Sequence, residues 1–266
     1  MRNKRWLLAG IALAALLFLI GVRFIAPRSN ILLLPRAHNG TEYVLYVHVP
    51  DRCKGGGCPA LYILDGDLWL PTFTQLSEDA AARHAMAPVI LVGIGYRNIL
   101  ASARLRKHDF SPAFGRAPGA TGGADAYIDT LRRDIIPYAE AHLPIDSTTR
   151  GIAGHSYGGL LASYTLMHTP ELFDRYLIMS PALWFDGGKI FDVPLAAAPH
   201  ARAVYLASNS ENTQTSQMTR DVRRLNALLL TDHSIELSQS VFLNKSHNGV
   251  VEPAARAALP QLFPDE

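Results

Sequence analysis

Only two cysteines occur in 266 residues, both in Cys53-Lys-Gly-Gly-Gly-Cys58. A zinc site built on paired cysteines would need a second pair, so that class of metal site is excluded. The chain is also short of basic charge where a nucleic-acid surface would require it. Residues 1–28 hold five of the 25 Lys+Arg and no acid, and the remainder carries 20 basic against 23 acidic residues, a net charge of −3. Phosphate binding needs clustered cations, and nucleic acid is therefore set aside as a partner. Repeats and internal linkers are missing too, which leaves one domain over 29–266 as the economical organisation. With 48% hydrophobic and 18% charged residues the chain can build a sizeable core, and disorder of its bulk is excluded.

What is present begins with a targeting segment. Met1-Arg-Asn-Lys-Arg5 is cationic, Trp6 to Ile20 carries no charge, and Gly21-Val22-Arg23 follows. This pattern fits a secretory signal or a short membrane anchor. A small-x-small cleavage site is hard to find, so an uncleaved anchor is favoured over a removed signal. Basic residues stay on the cytoplasmic side, which places the body in the periplasm, tethered to the inner membrane. The cysteine pair agrees with an oxidising compartment: its three intervening glycines let the turn close a small disulfide ring, with two free surface thiols as the alternative.

Strands and helices alternate along the body. Strands are expected at Thr41 to Val49, Ala60 to Asp65, Pro88 to Ile94, Arg150 to His155, Arg175 to Ser180, Ala201 to Ala207 and Ile235 to Leu243. Helical spacing marks Asp125 to His142, Tyr157 to His168, Gln214 to Thr231 and Val250 to Leu259. Alternation implies an α/β fold with a mostly parallel central sheet and helices on both faces. One connection is abnormal: Gly95 to Gly123 is rich in Gly, Pro, Ala and Arg without a clear period, far beyond the usual 2–6 or so residues. Leaving the carboxyl end of a strand, such a loop would lie over the crevice where open α/β sheets bind ligands.

Chemistry concentrates at Gly151-Ile-Ala-Gly154-His-Ser156-Tyr-Gly158-Gly159. A β-rich run precedes Gly154-x-Ser156-x-Gly158 and a helical run follows, the context that a sharp nucleophile-bearing turn requires. Glycines two before and two after the serine remove side chains that would collide in so tight a turn. Ser156 is thus the expected nucleophile, with the backbone N–H of Tyr157 at the helix start as an oxyanion donor. Its base is expected to be His247, in Leu243-Asn-Lys-Ser-His247-Asn-Gly249, after the last strand and before the last helix. His155 is expected to pack at the strand end, and His108 stands in the long loop as a second-rank candidate for the binding site. The orienting acid should follow the strand at Ala201 to Ala207, where Glu211 is the carboxylate of the next loop; Asn209 or Asn212 are alternatives, and Asp221 and Asp232 are less well placed. Gly66 or Asp67, at the end of Leu61-Tyr-Ile-Leu-Asp-Gly-Asp67, is expected to supply the second oxyanion N–H.

Several segments together resemble a known group, the esterases of the α/β-hydrolase superfamily that include enterochelin (ferric-siderophore) esterases and S-formylglutathione hydrolase. They are Leu61-Tyr-Ile-Leu-Asp-Gly-Asp67, Val92-Gly-Ile-Gly-Tyr96, Arg106-Lys-His-Asp-Phe-Ser-Pro112, Gly154-His-Ser-Tyr-Gly-Gly159, Met179-Ser-Pro-Ala-Leu-Trp184 and Ser246-His-Asn-Gly249. Their spacing is most similar to the periplasmic siderophore-esterase branch. The resemblance implies Ser156 as nucleophile, His247 as base, and Gly66 with Tyr157 as oxyanion donors. It also implies Arg106 over the mouth as a holder of an anionic substrate such as a catecholate, the alternative being a solvated arginine paired with Asp109. Trp184 and Asp67 join Arg106 as candidate substrate contacts, and Trp69, Tyr157, Trp184 and Phe110 are candidates for an apolar wall. The expected function is a serine ester hydrolase without cofactor or metal, acting on a small-molecule ester and, by resemblance, on a ferric siderophore. An acyltransferase, a hydrolase of other esters or thioesters, and an idle binding protein on the same fold are the alternatives.

Overall fold

The computed structural model describes residues 30–114, 122–198, 200, 202–210 and 217–265. One eight-stranded sheet runs in the order β1-β2-β4-β3-β5-β6-β7-β8. The strands are β1 (Asn30–Leu33), β2 (Tyr43–His48), β3 (Cys58–Leu64), β4 (Ile90–Tyr96), β5 (Ile145–His155), β6 (Arg175–Met179), β7 (Arg202–Ser210) and β8 (Ile235–Leu243). Pairing is antiparallel for β1 with β2 and β2 with β4, and parallel from β4 through β8. Central strands of a parallel sheet are covered on both faces and need continuous apolar sequence. β4, Ile-Leu-Val-Gly-Ile-Gly-Tyr, is buried along its whole length for this reason.

Successive side chains of a strand point to opposite faces, and this alternation divides the core in two. Leu61 and Ile63 face one layer with Leu91, Ala153 and Leu177, closed by the helices α1 (Gly66–Ala82) and α7 (Val251–Leu262). Tyr62 and Leu64 face the other with Val92, Ile152 and Leu206. That layer is closed by α3 (Ala124–Thr130), α4 (Ile136–His142), α5 (Tyr157–His168) and α6 (Gln217–Leu229). A single π-helical turn, Leu131–Ile135, joins α3 to α4, so the helical spacing seen over 125–142 is realised continuously.

Three features depart from the sequence reading. α1 was left unassigned, yet Leu70, Phe73, Leu76, Ser77 and Ala80 are inward at helical spacing. β1 is a short edge strand with an exposed face, too brief to show a period. The long connection is not structureless: β4 runs on to Tyr96, and α2 (Ser102–Asp109) fills part of it, while 115–121 lie outside the described residues. The targeting segment also lies outside them; among the described residues no helix is long and apolar enough to cross a membrane.

Cys53 and Cys58 form a disulfide with Cα atoms 5.5 Å apart, both side chains buried. The three glycines between them close the ring, Gly56 and Gly57 at φ 94° and 82°. Native protein should therefore show no reactive thiol, and a Cys53→Ser/Cys58→Ser variant should lose about 2 kcal/mol of unfolding free energy in denaturant titration, the loop-closure effect for so small a ring. Two thiols titrating without reductant would contradict the assignment.

A second packing constraint bears on the site. A Cβ on Gly66 would lie 2.2 Å from the backbone carbon of Gly93, so the first turn of α1 presses directly on β4. Gly66→Ala should lower stability by roughly 1–3 kcal/mol, read by thermal or urea unfolding, because rigid backbone and not a mobile side chain must give way.

Candidate active site

The site forms at the carboxyl ends of β3 and β5, which lie side by side in parallel register, Ile63 opposite Ala153. Each strand ends in a residue with positive φ that starts a helix. Asp65 (φ 55°, ψ 45°) precedes α1 and Ser156 (φ 59°, ψ −115°) precedes α5. Neither is glycine, and such conformations cost on the order of 1–3 kcal/mol each unless the surroundings enforce them. At Ser156 they do: a Cβ on Gly154 would stand 2.2 Å from the Gly158 carbonyl oxygen, and one on Gly159 would be 2.9 Å from Pro181 Cα. Only glycine lets strand, turn and helix close up this far, and the serine is left at the apex, as the motif led one to expect. The first N–H groups of α5 and α1, those of Tyr157 and Gly66, have no partner within their helices and carry the positive end of the helix dipole. The register of β3 and β5 sets these two helix starts next to each other at the serine.

His247 sits in the loop between β8 and α7, and three bonds to its backbone neighbourhood hold that loop. Asn244 N–H donates to the Ser210 carbonyl at 2.7 Å, Asn209 Nδ2 donates to the Lys245 carbonyl at 3.2 Å, and His155 Nε2 donates to the His247 carbonyl at 2.7 Å. Asn209 is itself fixed by a reciprocal pair with Ser180, whose hydroxyl donates to Oδ1 at 2.9 Å and accepts from the Asn209 N–H at 3.1 Å. Asn209 thus positions the histidine loop through its backbone. Ser156 and His247 line one cavity of about 370 Å³ together with Asp65, Asp67, Trp69 and Arg106.

His155 is buried as expected, but it is more than filler. A carbonyl only accepts, so Nε2 carries the proton of the ring. The imidazole lies 4.5 Å from that of His247, centroid to centroid, with the edge of Trp69 5.5 Å away on another side. Burial foremost, then the neighbouring His247, drives its pKa down to about 4 against the pull of the carbonyl bond, with Arg106 adding to the fall. The ring is therefore neutral at pH 7 and serves as a fixed donor.

Arg106 makes a two-pronged ion pair with Asp65, Nε to Oδ1 at 2.6 Å and Nη2 to Oδ2 at 2.8 Å. Nη2 also reaches the His155 carbonyl at 3.3 Å, and the guanidinium rests on the rings of Phe110 and Tyr157. Asp109, the partner in the alternative reading of Arg106, is engaged elsewhere, accepting from Tyr43 and Tyr96 hydroxyls at 2.9 and 3.0 Å. Burial raises the Asp65 pKa, and the Arg106 hydrogen bonds and charge oppose that rise. Asp65 is the site residue that sequence reasoning missed; its signal was an acid at a strand end immediately before a glycine-led helix.

The other candidates are distributed as follows. Gly66 and Tyr157 are at the helix starts described above, and Asp67 lies exposed at the cavity mouth. Trp184 is 45% exposed and packs edge-on against Tyr157, outside the cavity lining. Phe110 is buried against Tyr127 and forms core, not wall. His108 turns its Nδ1 to Asp109 at 2.9 Å and does not line the cavity. Asp232 binds Arg202 at the far end of β7, and Asp221 is on α6. Glu211 and Asn212, the loop candidates for orienting the imidazole, lie outside the described residues.

The neutral buried ring has a pH signature. The unfolded His155 binds its proton below about pH 6.5 and the folded one only below about 4, so unfolding takes up a proton in between. The associated stability, on the order of 3 kcal/mol, is complete above pH 6.5 and is lost as pH falls toward 4. In His155→Asn the slope of unfolding free energy with pH over that window should fall by the equivalent of one proton; an unchanged slope would contradict the assignment.

Comparison with known proteins adds an independent line. The family model described as "Putative esterase" matches residues 37–247. The chain is similar to the siderophore triacetylfusarinine C esterase of Aspergillus fumigatus, 37% identical over 156 residues, which are 55% of this chain and 53% of that protein. It is also similar to the ferri-bacillibactin esterase BesA of Bacillus subtilis, 25% identical over 61% of each. It thus spans between half and two thirds of the length of these curated relatives. Among solved structures, the BES protein from Bacillus cereus superposes with a TM-score of 0.79 over 90% of this chain and 95% of that one, at 23% identity. That likeness shows the fold, the α/β-hydrolase type expected.

Proposed function

This chain belongs to the esterase family whose model spans most of it, and from that premise we propose that it is a serine ester hydrolase of siderophore esters working through an acyl-enzyme. The observation that carries the reading is the placement of Ser156, enforced at φ 59° between β5 and α5, in one cavity with His247. The names of the relatives support the substrate class.

Each residue has a defined task. His247 takes the hydroxyl proton of Ser156 as Oγ attacks the ester carbonyl carbon. The carbonyl oxygen becomes an alkoxide between the N–H groups of Tyr157 and Gly66, where two helix starts supply fixed positive ends without reorganisation. Collapse of the tetrahedral species breaks the ester C–O bond, and His247 returns the proton to the departing alcohol. Water then attacks the acyl-serine, deprotonated by the same imidazole, and releases the acid. His155 and Asn209 keep the loop of His247 in register throughout by holding its carbonyls. Export to the periplasm and tethering at the inner membrane belong to the same proposal, supported by the cationic-apolar N-terminus and by the disulfide.

Ser156→Ala should reduce hydrolysis of 4-nitrophenyl acetate by about 10⁴-fold or more and abolish labelling by a fluorophosphonate probe, with the fold unchanged by circular dichroism. Full retained activity in the variant would overturn the reading.

A further inference from the structure

The cavity at Ser156 has an uneven charge. Three of its lining side chains carry formal charge: Asp65, Asp67 and Arg106. Asp65 and Arg106 neutralise one another through two short hydrogen bonds. Asp67, exposed at the mouth, makes no hydrogen bond or ion pair with any described residue. Burial raises the pKa of Asp65 and of Tyr46, and the nearby Asp67 charge adds a smaller rise to each. Arg104 and Lys107, on the same helix as Arg106, do not line the cavity, and Arg97 is turned to Glu42. Among the described lining residues the formal charges therefore sum to −1, and the Arg106 guanidinium is already occupied by Asp65.

Beside Asp67 the lining turns apolar: Leu68 is 60% exposed there and Trp69 is half-buried next to it. A bared leucine and an indole in a cavity lining suit an apolar ligand body.

These two observations discriminate between iron chelates. Three hydroxamates, each a monoanion, bring Fe³⁺ to zero net charge, whereas three catecholate dianions leave the complex at −3. We propose that this site, within the ester-hydrolase reading on which the inference rests, selects uncharged tri-hydroxamate ferric esters over trianionic tri-catecholate ones, with Asp67 as the excluding charge. At low ionic strength and the dielectric constant of water, one carboxylate about 10 Å from three negative charges disfavours their approach by a little under about tenfold. A like charge at an entrance acts as a negative selector without contributing to binding of the preferred ligand.

Iron loading provides the internal control, because it takes a tri-catecholate trilactone from neutral to −3 and leaves a tri-hydroxamate triester neutral. For the wild-type full chain at low ionic strength (about 0.01 M), kcat/KM should fall by about five- to tenfold on loading the catecholate and change little on loading the hydroxamate. Asp67→Asn should recover most of the loss for the ferric catecholate, and raised ionic strength should narrow it in the wild type only. An equal or higher kcat/KM for the ferric catecholate, or a loss that Asp67→Asn leaves untouched, would overturn the proposal. Activity on 4-nitrophenyl acetate separates the two levels: a wild type active on it but indifferent to substrate charge refutes only the selectivity, whereas an inactive wild type refutes the hydrolase reading as well.

Discussion

The contact between the backbones of Gly154 and Gly158 is the constraint on which the rest depends. It brings a strand end and a helix start closer than any side chain permits, and the residue caught between them is forced into a conformation that non-glycine residues avoid. The strain is held by the sheet on one side and by Pro181 against Gly159 on the other. A serine there cannot retreat into the helix or the strand, so it stays at the apex of the turn where the helix begins. The same geometry recurs one strand away, where Asp65 takes a positive φ and Gly66 packs on Gly93. Two tight turns in parallel register build one anion-stabilising corner.

Around that corner the polar groups are arranged as supports. His155 and Asn209 act on the loop of His247 through carbonyl oxygens, and Ser180 fixes Asn209 from the next strand. Arg106 ties Asp65 to the carbonyl of His155, so the two strand ends are joined across their tips by a charged bridge. Keeping His155 uncharged matters here, because an imidazolium there would repel a proton on the neighbouring His247. The cost of desolvating a cation achieves this foremost, with His247 and Arg106 adding to the effect.

Much of this was legible in the linear sequence. The alternation of apolar runs and helical periods gave the sheet class, and for β8 and α5 even the boundaries. The glycine spacing around Ser156 and the chain position of His247 marked two residues that line one cavity. Other features escaped for identifiable reasons. The seventeen-residue α1 begins with a strained acid and carries a proline in its first turns, which disguises its period. Arg106 is expected to face an anionic substrate, with the acid three residues on as its alternative partner, but its carboxylate is Asp65, 41 residues away, and no local pattern announces a pair so distant. Asp109, placed between Tyr43 and Tyr96, is consumed by hydroxyls from two other strands.

The sequence by itself determined which residues are candidates for the chemistry and which backbone positions must be glycine, because those are properties of residue type and of steric limits within a few residues. It favoured the disulfide over two free thiols as well, since a ring of six residues closes locally, and the structure forms it. Tertiary structure alone decided which charges cancel, which histidine is neutral and which carbonyls are held. Those outcomes depend on burial and on distances between segments up to 92 residues apart, such as His155 and His247, and no local pattern encodes them.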